Sequence, residues 1–388
     1  MDPSSIVPLF QPLPFPAPVW LLETLLILGF FLHALPMNVV LGGGFLSAAL
    51  IFSGRNNKES FSYRAGKALA TSLPLFISFA VTQGIVPLLF VQLLYGPAFY
   101  TSSILMAVPW ISVIFIVLIS YYMSYVVIYR YFKNGAMQNT AGIVKSSMLL
   151  LVMSVGFALV GFLFSNNMTL MLSPEKWLSM YSHNANGLNL NLGDPQLIPR
   201  YLHFLVASFA VAGMTLGIFG LYIAKRDADF SKYMIVFGSK LYLGATLLQV
   251  PVGFWYLKSL PAGMAQRFMG GDTIGTAVFG ASMVFMLVAI IATAMACTNA
   301  NKKMFLVGLT ANALTILAMI FNRHQLRVWL LTHVQPSTVP VATQWDLLIT
   351  FVVSAVALIV YLVWLSKLCV KAFAAPVQAP DGERLAAQ

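Results

Sequence analysis

The chain has 388 residues, 59% of them hydrophobic and only 9% charged, with a formal net charge of +11 and a mean hydropathy of +0.84. A soluble domain carries about a quarter charged residues, so this composition excludes a soluble enzyme, a disordered chain and a conventional nucleic-acid binder. Cys297 and Cys369 stand far apart and form no CxxC pair, which excludes a disulfide scaffold and a covalently attached c-type haem.

The expected architecture is all-α and integral to a membrane, a bundle of about nine transmembrane helices. A membrane helix needs roughly 20 apolar residues, and continuous rather than alternating apolar runs favour helices over a barrel. No Lys or Arg precedes the first apolar run, so no cleavable signal peptide is expected. In chain order, the first span, Trp20–Phe52, carries Glu23 near one edge, then Gly29, His33, Ala34 and Pro36. The second, Leu69–Tyr95, contains Pro74 and Pro87, and the third, Ile104–Phe132, contains Pro109 and no acid. The fourth, Met148–Met171, is followed by a loop, about Leu172–Pro199, with Trp177, Tyr181 and an Asn/Gly-rich stretch, where a short interfacial helix is expected. The fifth, Tyr201–Ala224, opens with His203 and continues with Ala207, Ala210, Gly213 and Gly217. The sixth, Met234–Leu257, contains Pro251, and a short connection with Arg267 and Met269 leads to the seventh, Ile274–Ala296, with Met283. The eighth, Met304–Leu331, ends with Arg323, His324 and Arg327, and the ninth, Leu347–Val370, starts beside Asp346. Residues 1–373 are read as a single transmembrane domain and 374–388 as a mobile, Pro/Ala-rich cytoplasmic tail.

The loops sort by charge. Arg55, Lys58, Arg64, Lys67, Arg130, Lys133, Lys145, Lys225, Arg226, Lys232, Lys240, Lys302, Lys303, Lys367, Lys371 and Arg384 fall on one side, which is 16 of the 22 basic residues. By the positive-inside rule this side is cytoplasmic, the N-terminus is outside and the C-terminus inside. An odd number of spans requires the same arrangement, so the positive charge reports topology rather than an acidic ligand.

Ionisable groups inside a membrane are costly and mark candidate functional sites. Acids are nearly absent from the spans: Glu23 and Asp346 sit at outer edges and read as interfacial carboxylates, and no carboxylate lies at mid-membrane. All five histidines fall in the outer half, as a haem or quinone site on one face requires. His33 and His203 each have small neighbours that leave room for a macrocycle, and the same small residues equally suit close helix packing. His324, beside Arg323 and Arg327, faces a haem propionate or quinone, or belongs to a plain interfacial basic cluster. His183 and His333 read as solvated loop residues. Methionine mostly fills core gaps, but Met283 lies at a depth that matches His203 and offers an axial thioether, whereas Met269 is less well placed.

These features resemble subunit I of the cytochrome bd quinol oxidases. The stretch Pro199-Arg-Tyr-Leu-His-Phe-Leu-Val-Ala-Ser-Phe-Ala-Val-Ala-Gly-Met214 is similar to the family's fifth helix, whose early histidine ligates the low-spin b haem, and His203 matches that position. Phe164-Ser-Asn-Asn-Met168 resembles the family's Asn-containing close of the fourth helix, and His33 its first-helix histidine ligand. Asn322-Arg-His-Gln-Leu-Arg327 faintly resembles the Gly-Arg-Gln-Pro-Trp element, and Met283 is the best match to the low-spin methionine. The resemblance implies one or two b haems ligated through His203, Met283 and His33, with quinone or propionate contacts from Arg323, His324 and Arg267. Departures are equally informative. The family's third-helix glutamates have no counterpart here, nor does its eighth-helix glutamate, and the long quinol loop between helices six and seven shrinks to about Lys258–Thr273. The expected function is therefore a membrane b-type cytochrome, a quinol-oxidising oxidoreductase subunit of a respiratory complex in a bacterial or archaeal cytoplasmic membrane. It would pass electrons to an external redox partner such as a c-type cytochrome, within a hetero-oligomer. Oxygen reduction with altered ligands, a haem-poor anchor subunit and, because of the span prolines, a transporter are the alternatives.

Overall fold

A computed structural model describes residues 13–133 and 139–374; the expected tail lies outside the described residues except for Ala374, which closes the last helix. Among the described residues, nine helices are long and apolar enough to cross a membrane. They are α1 (Val19–Ser53), α2 (Phe61–Leu105), α3 (Ala107–Val126, continued by a π-helical turn Val127–Lys133), α4 (Thr140–Met171), α5 (Leu197–Ile223), α6 (Ala228–Lys258), α7 (Thr273–Asn299), α8 (Lys302–Leu330) and α9 (Trp345–Ala374). In hydrocarbon the backbone can satisfy its own hydrogen bonds only within such helices.

Short polar residues in the connections set the helix starts. Each accepts hydrogen bonds from backbone amides that the first turn leaves unpaired. Ser60 accepts from Tyr63 N at 3.3 Å, Asn139 from Gly142 N at 2.8 Å, and Asp227 from Phe230 N at 3.0 Å. Asp272 accepts from Gly275 N at 2.7 Å and Asn301 from Lys303 N at 3.1 Å.

The helices exceed the apolar runs that announced them, most of all α2. Its 45 residues amount to about 67 Å of helix, roughly twice the hydrocarbon thickness. Hydropathy marks what lies in lipid, whereas helical hydrogen bonding continues past Arg64 and Lys67 at one end and Pro97 at the other. Pro97 supplies no amide to the helix ladder, and the axis breaks at Tyr95 (φ −127°, ψ 31°).

α1 is the central element, packed against α2, α4, α5 and α8, while α5–α6 and α7–α8 form close antiparallel pairs. At the basic-loop end, Arg64 Nη2 meets Asp227 Oδ2 at 2.5 Å, tying the start of α2 to the α5–α6 turn. The guanidinium also stacks over Phe230 at 4.1 Å, and its hydrogen bond holds the Asp227 carboxyl below its ordinary range.

The loop between α4 and α5 is a folded cap containing the expected short helix, Trp177–His183. Asp194, 3% exposed at its side chain, receives Lys176 Nζ at 2.8 Å, Asn191 Nδ2 at 3.2 Å and Ser173 Oγ at 3.3 Å. Asn166 Oδ1 accepts Asn191 N at 2.6 Å, and Asn167 Nδ2 donates to Ser103 on α2 at 3.2 Å. The connection before α9 is held by a parallel bridge between Phe15 and Val341, and the described side chains of α9 are largely exposed.

Candidate functional site

The histidines of α1, α5 and α8 lie where these helices meet α2 and α6. His33 projects from α1 against α2. Its Nδ1 lies 2.8 Å from the carbonyl oxygen of Ala80. A carbonyl only accepts, so Nδ1 carries the proton and Nε2 keeps its lone pair. This is the arrangement that prepares an imidazole to ligate a metal. Gly84 borders the ring so tightly that a Cβ there would stand 2.9 Å from Cε1 and Nδ1.

His203, in the second turn of α5, faces α6. Gly253 borders its ring, with an added Cβ 3.3 Å from Cε1, and the Tyr256 ring stacks at 6.5 Å between centroids. Its Nδ1 is buried without a hydrogen-bond partner among the described residues. In an apolar interior such an atom costs free energy unless something binds it.

Between the two histidines lies a set of arginines. Arg323 of α8 stacks over Phe30 at 4.1 Å, and Phe30 packs against His33 with ring centroids 5.9 Å apart. Arg323 also interacts electrostatically with Arg200, Arg327 and Tyr256. Arg327, 4% exposed, faces the Tyr95 ring at 5.4 Å, next to the break in α2. Arg200 Nη1, Arg327 Nη1, Tyr95 Oη, His324 Nδ1 and both amide atoms of Asn322 are buried without partners among the described residues. Glu23 approaches His324 Nε2 at 3.7 Å, beyond hydrogen-bond range, and is the carboxylate that acts on Arg327. Three guanidiniums therefore lie within electrostatic reach of one another, and one partly buried carboxylate acts on Arg327. Burying that imbalance is unfavourable without a further anion.

Of the expected site residues, His33, His203, Arg323 and His324 belong to this cluster. Arg267 is exposed and stacks on Trp329 at 5.4 Å, in a separate patch with Phe268. Met283 is half-buried on α7, whose main neighbours are α6 and α8, and buried residues of α5 (Ala210, Met214) and α7 (Ala289, Ala296) share one apolar cluster. His183 is exposed, as expected. The sequence reading missed Arg200, Tyr95 and Asn322, and gave Glu23 no part in the site. Arg200 carried a usable signal, since it precedes His203 by three residues and so shares its helix face. Of the two residues picked out by resemblance, Asn166 anchors the cap through Asn191 N and Asn167 ties α4 to α2 through Ser103. Among the described residues, no group of three or more His, Cys, Asp and Glu side chains forms a metal cluster.

No family model and no curated protein matches the sequence. The fold is similar to a chain of the structure titled "The structure of bd oxidase from Geobacillus thermodenitrificans", with a TM-score of 0.71 over 93% of this chain and 99% of that one, at 11% sequence identity. The chain thus shares the helical fold of a bd oxidase chain at 11% sequence identity.

Proposed function

We propose that the chain is a b-type cytochrome subunit of a respiratory electron-transfer complex, passing electrons between a quinol or quinone and an external redox partner such as a c-type cytochrome. The observation that carries this reading is the pairing of His33, held through Nδ1 with the Nε2 lone pair left free, with His203 and three arginines, one buried and two partly buried, at one end of the bundle. The residues suit a haem. Imidazole nitrogens are its usual ligands, Gly84 and Gly253 let the two rings pack against bare backbone, and Arg200, Arg323 and Arg327 match the two negative charges of its propionates. Bound haem would supply one-electron redox chemistry.

The roles of the chain's own side chains follow. The Ala80 carbonyl orients His33, Tyr256 and Gly253 orient His203, and the arginines neutralise the carboxylates. Arg323 and His324 offer polar contacts to a quinone head, and Arg267 on Trp329 offers one at the surface. Met283 on α7 is the candidate axial thioether beside His203. The basic loops support an outside N-terminus and a cytoplasmic C-terminus. A hetero-oligomer with other respiratory subunits, in a bacterial or archaeal cytoplasmic membrane, completes the reading.

A second reading, a bd-type oxidase that reduces oxygen, is favoured by the fold similarity. Against it stands the absence of any acid from 107 to 133, where the resembled family carries two. Spectra of single variants test the first reading. His203→Ala and His33→Ala are each expected to lose part of the reduced-minus-oxidised b band. Unchanged spectra in both variants would refute the ligand assignment, and a carbon monoxide shift in the wild type would favour the oxidase.

A further inference from the structure

Away from the histidines, α3 and α4 leave a membrane-facing groove of about 440 Å³, lined by Leu118, Ile119, Tyr122, Met123, Val126 and Leu149. The lining is almost wholly apolar, and the groove runs toward the basic-loop end of both helices. On α3, Arg130 lies one turn beyond Val126, the last lining residue. On α4, Lys145 lies one turn beyond Leu149 in the same direction. Each wall therefore ends in a cation, and both cations are exposed. Lys133 adds a third charge, 4.6 Å over the Tyr129 ring, and Lys67 a fourth, 5.6 Å over Phe132. Among the described residues the acids enter contacts with Arg64, Lys176 and His324, and none meets Arg130, Lys133 or Lys145. Tyrosines mark the depth of the interface: Tyr121 and Tyr125 join their hydroxyls at 3.3 Å, and Tyr125 stacks on Tyr129.

We infer that this groove binds an anionic phospholipid of the leaflet on the basic-loop side, with an acyl chain against Leu118–Val126 and Leu149 and the headgroup phosphate between Arg130 and Lys145. Charge complementarity selects this occupant. An uncharged quinone tail or a zwitterionic lipid would gain the groove but not the cations, whereas an anionic headgroup gains both, as basic recesses between membrane helices provide. Inorganic phosphate would meet the cations without the apolar contacts. The inference is independent of haem binding.

The test is native mass spectrometry of the detergent-solubilised full chain with added phosphatidylglycerol, phosphatidylcholine or inorganic phosphate. The wild type is expected to retain phosphatidylglycerol selectively and to keep it in excess phosphate. Arg130→Gln and Lys145→Gln are each expected to weaken retention about fivefold. Leu149→Trp, which fills the groove and leaves the cations, is expected to weaken it as well. Lys303→Gln, an exposed basic residue of another loop, is expected to change nothing. Equal retention of phosphatidylcholine, displacement by phosphate, or an equal loss in Lys303→Gln would overturn the proposal, as would full retention in the Arg130→Gln/Lys145→Gln double variant.

Discussion

At the scale of single residues, the two histidines differ in how they are held. His33 is fixed by one hydrogen bond from Nδ1 to Ala80 and by the bare backbone at Gly84. In Gly84→Ala the new methyl would stand 2.9 Å from the ring, so the ring must move and the Ala80 bond weaken. Overpacking of this kind costs about 1–3 kcal/mol. We expect Gly84→Ala to lower the haem-to-protein ratio while sparing the signal that depends on His203; a ratio equal to wild type would show that the His33 ring position is not needed. Asp194 is the second informative residue. Removing it strands Lys176, Asn191 and the amide of Gln196. With Lys176 half-exposed, Asp194→Ala should destabilise the cap by about 2 kcal/mol, read as faster amide exchange between Ser173 and Gln196. Exchange as slow as in the wild type would show that the apolar contacts of Trp177 alone hold the cap.

Helix pairing rests on small residues where backbones touch. Gly213 on α5 and Gly238 on α6 face one another, each lying where a Cβ on the other would strike its carbonyl oxygen. Without a hydrophobic drive between helices in lipid, such close approach is a main source of association. Gly213→Ala should therefore lower the thermal midpoint in detergent, by the equivalent of about 1–3 kcal/mol, and an unchanged midpoint would place the stability of the pair elsewhere. At the opposite turn, Asp227 caps α6 and pairs with Arg64, and the hydrogen bond from Arg64, followed by that from Phe230 N, depresses its pKa. A depressed carboxyl stabilises the fold above its unfolded pKa, near 3.9. That contribution is lost as pH falls below this value through the folded pKa. Asp227→Asn keeps a capping side chain and removes the charge, so its stability should depend less on pH below about 4 than that of the wild type. Equal acid sensitivity would show that Asp227 does not contribute.

Across the whole molecule, sequence and structure agree most closely on the helices and least on the site. The nine apolar runs were legible because each exceeds the roughly 20 residues that lipid demands, and each has its helix. The full length of α2 was not, since Pro97 and the charged residues near Phe61 lower local hydropathy without ending the helix. His33, His203, Arg323 and His324 stood out as polar groups in apolar surroundings. What a single sequence does not carry is adjacency. Arg200 on α5, Tyr95 on α2 and Glu23 on α1 join Arg323 and Arg327 on α8 only once four helices are packed. The excess of guanidinium over carboxylate is likewise a property of the assembled bundle, and it turns an interfacial basic cluster into a site that calls for an anion. The most direct test of the central claim is a reduced-minus-oxidised spectrum of the purified wild-type protein, with the haem quantified as its pyridine complex. The account predicts a b-type alpha band and one or two haems per chain; a protein with no Soret or alpha band after expression with ample haem would contradict it.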